Sequence, residues 1–277
     1  MATGGVKTVL TLAPGWQLHR TRLDSMHVVN LGVAWFAIGN GLFFLASSRS
    51  YLTLGPVAEH VLPANAAMGD VLFDLQLRFK RWLSSHKLTC SCRRFTPSAL
   101  NCDKSSEVCQ FKCKAAQSPR LLAWLAQCTL DFADACPPER KEEARAVSTC
   151  MWGLAQYFHI LSVGDRFFTQ NQAKKLSEAG YTFLYMYSHL ADLKLGSQLW
   201  HIVPKFHHFQ HLLDDALTDL GNPRFFTCFG DEDMVGQMLR LAKAGHALTT
   251  VESALDKYAL GLRTRLAQRC AAGPVPP

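Results

Sequence analysis

At 277 residues, 48% hydrophobic and 18% charged, the chain is long enough for one large domain or two small ones and too apolar for a disordered tail. Its net charge of +7 favours polyanions, nucleic acid included, but the surplus is spread thinly and lacks the dense run of a dedicated DNA-binding arm. Ten cysteines without a convincing secretory leader point to an intracellular, reducing compartment, nuclear or cytoplasmic, and to mostly free thiols.

Residues 1–23 hold the only strand-like segments. Thr8–Leu12 is β-prone, Pro14-Gly15 turns, and Trp16–Leu23 alternates in part. Residues 24–90 form a first helical part. From Ser25 to Ser48 there is no Asp, Glu, Lys or Arg, which is enough for a membrane span. Asn30, Asn40, Gly32, Gly39 and Gly41 weaken that reading, and a helix buried on all sides gives the same pattern. Pro56 and Pro63 bracket a connection. Val71, Leu72, Leu75, Phe79, Trp82 and Leu83 then recur at helical spacing. Residues 84–105 read as a loop and as the main hinge.

Residues 91–117 form a cysteine-containing loop with a short helix, and 118–270 a helical domain. Ser118-Pro119 is an N-cap with Pro at the first helical position. Pro137-Pro138-Glu139 starts the next helix, Thr169 and Gln172 form a capping box, and Pro204 opens another helix. Gly221-Asn222-Pro223 ends it. After the apolar run Phe225–Phe229, Gly230 acts as a breaker before a helix through Met234, Met238 and Leu241. Thr249 and Glu252 make a second capping box, and residues 271–277 are a disordered tail. The expected fold is mainly α, a multi-helix globular domain with a short β remnant near the N-terminus.

Four groups of residues bear on chemistry. Asp24, where a basic lead-in meets an apolar helix, reads either as an N-cap or as a metal-binding carboxylate. Cys90, Cys92, Cys109 and Cys113 form a possible zinc set, although C-x-C is an unusual pair and Cys109 and Cys113 are one helical turn apart. His207 and His211 share a helix face, as metal-binding pairs do. The zincin glutamate is replaced by His208, which removes the protease reading. Asp231, Glu232 and Asp233 suit a helix start, yet carry more charge than a cap needs. Two distant carboxylates such as Asp24 and Glu232 would suit Mg²⁺, which takes few protein ligands. No Walker, dinucleotide or serine-hydrolase motif is present.

Asp24-Ser25-Met26-His27 with Leu31-Gly32 resembles the D-x-M-H-x-x-x-L-G block of CACTA-like and related cut-and-paste transposases, which have an RNase H-like DDE core. Pro204-Lys205-Phe206-His207 with His211, followed by Phe229 to Gly236, resembles a later block of the same family. Residues from Trp16 to about Leu266 also resemble multi-copy segments encoded in mobile-element-rich protist genomes. They share the words Arg93-Arg94-Phe95-Thr96, Lys112-Cys113-Lys114-Ala115-Ala116, Trp152-Gly153-Leu154-Ala155 and Asn222-Pro223-Arg224-Phe225.

The resemblance implies that Asp24 is the second catalytic acid and Glu232 the third, with Asp231 and Asp233 as rivals. Lys205 and His207 would contact nucleic acid. An active member would carry out Mg²⁺-assisted phosphodiester hydrolysis or strand transfer. Neither Asp nor Glu precedes Asp24, so the first catalytic Asp has no counterpart. The expectation is therefore a truncated, catalytically inactive transposase-like fragment that retains DNA binding. Two alternatives stay open: an all-α protein-interaction module, and a membrane-associated protein anchored through residues 25–48.

Overall fold

The computed structural model describes residues 22–48, 67–102, 108–243 and 250–271. Among them the chain is mainly helical, with eight α-helices and no strand. Nearly all of the strand-like stretch 1–23, the Pro56–Pro63 connection, Thr249 of the second capping box and the tail from 272 lie outside the described residues.

Two compact units are present, Met1–Phe226 and Thr227–Pro277. The expected hinge at 84–105 is not where they divide. Its described part is stitched down: Phe95 is buried, Gln76 Nε2 donates to the Arg93 carbonyl (3.3 Å), and Gln117 Nε2 donates to the Ser91 carbonyl (2.8 Å).

The first unit is built around a helical rod that begins after Asp24. The rod has a π-helical part, Met26–Val33, and an α-helical part, α1 (Ala34–Ser47). Among the described residues it is the one helix long and apolar enough to cross a membrane, with a mean hydropathy of 1.7. Here it is a core element, with Val29, Val33, Ile38, Leu42 and Leu45 fully enclosed. Its buried amides have specific protein partners, as buried polar groups require. Asn30 Nδ2 donates to the Ala115 carbonyl (2.9 Å). Asn40 donates to the Phe36 carbonyl (2.8 Å) and accepts from the Trp200 N–H (2.9 Å).

Around the rod stand α2 (Met68–Ser85), α3 (Ser118–Ala135), α4 (Lys141–Val163), α5 (Gln170–Leu193) and α6 (Pro204–Asp219). Helices α3 to α6 each pack on the next. The arc closes because α3 also packs on α1 and α6 on the π-helical part. Aromatic rings fill its centre, with Tyr157 edge-on to Phe209 (4.9 Å) and Tyr187 against Phe206 (4.4 Å).

Local signals explain most boundaries. Thr169 and Gln172 form the expected capping box at α5, and Pro204 opens α6. Ser118 departs from expectation: it is already inside α3, and its hydroxyl donates to the Asn30 carbonyl (2.9 Å) instead of capping its own helix. Helix α6 is turned by Leu220 in the left-handed region (φ 56°), one residue before the expected Gly221. The Leu220 carbonyl is drawn there because it accepts from the Phe168 N–H (2.7 Å).

The second unit, taken alone, is a hairpin of α7 (Phe229–Lys243) and α8 (Thr250–Ala271). Gly230, expected as a breaker, lies in the first turn of α7, where backbone N–H groups have no intrahelical partner to lose.

Candidate functional site

Asp24 caps the rod. Its carbonyl accepts from the Val28 N–H (3.0 Å), and its Oδ1 accepts from the Met26 N–H (3.0 Å). Its second oxygen meets Nδ1 of His27, an exposed ring. A carboxylate on one ring nitrogen fixes the orientation of the imidazole. One residue before Leu23, Arg22 reaches α6, forming ion pairs with Asp215 (3.4 Å) and Asp219.

Lys205, expected at a phosphate, has a different task in the fold. Its stem lies over Gly32, and its ammonium donates to the Leu31 carbonyl (3.0 Å). Gly32 leaves helical geometry there (φ −125°, ψ −108°), which frees that carbonyl. A Cβ on Gly32 would lie 2.7 Å from Lys205 Cδ and 2.9 Å from the His27 carbonyl oxygen. Burial lowers the Lys205 pKa from its usual value. Further along α6, His207, His208 and His211 are exposed, and the Nε2 atoms of His207 and His211 are 3.0 Å apart.

The acids proposed for Mg²⁺ are divided between the units: Asp24 is in the first, Asp231, Glu232 and Asp233 in the second. Glu232 is exposed in the first turn of α7, where its N–H donates to the Cys228 carbonyl (2.9 Å). Asp233 accepts from Gln237 Nε2 (2.6 Å). Of Asp231 the structure describes the helical backbone only. Among the described residues no three His, Cys, Asp or Glu side chains are arranged to hold a metal ion. Neither unit assembles a two-metal centre from them, and no step through Mg²⁺ follows.

The proposed zinc quartet is also split. Residues 108–114 are not helical, and burial alternates along them, with Cys109, Phe111 and Cys113 inward and Lys112 and Lys114 outward. In such an extended run four residues span about 13 Å, not the single helical turn that the spacing suggested. Cys109 instead faces Cys102, with sulfurs 3.1 Å apart. Cys90, Cys92 and Cys113 gather separately. Burial first, then the neighbouring thiols, push Cys92 up to about 12 and Cys113 up to about 11. Near one another as they are, these three are not arranged to hold a metal ion, and Cys109 is turned to Cys102.

The same alternation builds a cationic face. Lys112 and Lys114 point outward beside Cys113, and Arg93 and Arg94 are exposed beside Cys92. The Arg93 guanidinium lies 5.1 Å from the centre of the Phe111 ring and donates to the Ala99 carbonyl. Arg93 lies near enough to Cys92 and Cys113, and Arg120 to Cys90, for each charge to favour the neighbouring thiolate. Between Asp74 and Asp131 the described residues include no Asp or Glu, and Asp103 and Glu107 lie outside them. Read linearly, these cations are scattered over nearly thirty positions among cysteines and aromatics. The one local clue was the two-residue period of Lys112-Cys113-Lys114.

A groove of about 620 Å³ lies between α4 and α5, with Trp152, Val163, His159, Lys175 and Glu178 on its walls. Scans against protein-family models, curated proteins and solved structures each found no match to this chain, so its function has to be read from its own side chains.

Proposed function

We propose that this chain is a transposase-like helical module that binds nucleic acid without cutting it, through Arg93, Arg94, Lys112, Lys114 and Arg120. The observation that carries this reading is the exposure of Arg93, Arg94, Lys112 and Lys114 along one non-helical stretch, with Arg120 in the first turn of α3, where the described residues include no Asp or Glu. Cations so placed gain affinity by releasing counterions from a phosphate backbone. The transposase character rests on the Asp24–Gly32 and Pro204–His211 blocks. The non-cutting character is supported by an Asp24 carboxylate already committed to the Met26 N–H and to His27.

The test is fluorescence anisotropy with labelled duplex and single-stranded DNA over a salt series. Each phosphate contact contributes about −0.9 to the slope of log K against log salt on duplex DNA. Replacing Arg94, Lys112 and Lys114 together by Ala should weaken binding and flatten the slope by about 2–3. An unchanged slope in that variant would remove the assigned surface, and Mg²⁺-dependent cleavage by the wild-type chain would overturn the non-catalytic reading.

A second reading, a protein-interaction module, is favoured by the hairpin, which exposes Val235 and Leu239 on α7 and Leu255 and Leu260 on α8. Large apolar side chains presented together mark contact surfaces more often than chance exposure does.

A further inference from the structure

We propose that His207 and His211 form a two-imidazole chelate for a divalent transition-metal ion such as Ni²⁺ or Cu²⁺ on the solvent face of α6. The two rings sit four residues apart on one helix face, both exposed, with centroids 4.4 Å apart and Nε2 atoms 3.0 Å apart. With metal–nitrogen bonds of about 2.0–2.1 Å, two ring nitrogens this close can bind one ion together. Imidazole nitrogens suit Ni²⁺, Cu²⁺ and Zn²⁺, with Cu²⁺ the tightest.

The helix holds this geometry in place. Phe206, Phe209, Leu212 and Leu213 anchor α6 in the core, and Lys205 ties its first turn to the Leu31 carbonyl. The acids one turn further on are engaged elsewhere: Asp214 accepts from the Tyr181 hydroxyl (2.6 Å), and Asp215 pairs with Arg22. Without an ion, one Nε2–H donates to the other ring's Nε2. When the ion enters, the donating ring moves that proton to its own Nδ1, both Nε2 lone pairs bind the metal, and water fills the remaining positions. The pair requires neither the cationic face nor any carboxylate of the transposase reading.

The probe is Ni²⁺, because Cu²⁺ would oxidise free thiols. Calorimetric titration of the full chain should show a site that weakens about tenfold or more in His207→Ala and in His211→Ala, since either change abolishes chelation. His208→Ala, with the same loss of one exposed imidazole, should bind as the wild type does. Ni²⁺ should also raise the thermal midpoint of the wild type and of His208→Ala, but not of the other two variants. Equal weakening in all three variants, or in none, would overturn the proposal.

Discussion

The side chain of Asn222 shows how much one residue can hold. It is fully buried, and its amide donates to the carbonyls of Leu161, Gly164 and Asp165 at 3.1, 3.1 and 3.0 Å. Its oxygen accepts from the Arg224 N–H (3.0 Å). Asn222→Ala leaves the end of α4 with unsatisfied carbonyls and should lower stability by about 2–3 kcal/mol, measured as a fall in the urea midpoint. The thiols of Cys92 and Cys113 set a pH dependence. Burial raises them from 9.0 to about 12 and about 11, so above pH 9.0 the folded chain binds more protons than the unfolded one. Stability therefore falls as pH rises from 9.0 through those values. A Cys92→Ala/Cys113→Ala double variant should show a shallower alkaline decline in the same titration.

At the scale of elements, α1 and the extended run at Cys109–Phe111 come close backbone to backbone. The Phe111 N–H donates to the Trp35 carbonyl (2.8 Å), and the Trp35 indole donates to the Cys113 carbonyl (2.9 Å). This closeness depends on Gly39, where an added Cβ would lie 2.6 Å from Gln110 Cα. Gly39→Ala should cost about 1–3 kcal/mol through overpacking, visible as a lowered thermal midpoint with unchanged helical circular dichroism at low temperature. Element starts were the most legible part of the sequence. Pro204, Pro138 and the Thr169/Gln172 box act within one turn of themselves, so a linear reading finds them. The π-helical part and the Leu220 turn escaped it, because each depends on a partner far along the chain: Lys205 for the first, Phe168 for the second. The candidate surfaces divide in the same way. The His207/His211 pair was visible from its i, i+4 spacing, whereas Arg93 and Arg120 are brought beside neighbouring thiols only by folding. The cysteine quartet misled because equal spacing means a turn in a helix but a long reach in an extended run.

At the scale of the molecule, the division between Phe226 and Thr227 predicts that residues 1–226 fold by themselves. The rod and all five helices around it lie in that unit. A chain ending at Phe226 should melt cooperatively and keep the Ni²⁺ response and the salt-dependent DNA affinity. If it precipitated or melted without a transition, the hairpin would be part of the same cooperative unit.

The rod also has a history during synthesis. Its apolar surface leaves the ribosome well before the groups that satisfy it: Ala115 for Asn30, Trp200 for Asn40, Lys205 for the Leu31 carbonyl. The last is 174 residues downstream, an interval of roughly ten to thirty seconds at ordinary elongation rates. Throughout that interval a nascent chain carries a segment greasy enough for the membrane-targeting machinery and for chaperones to compete over.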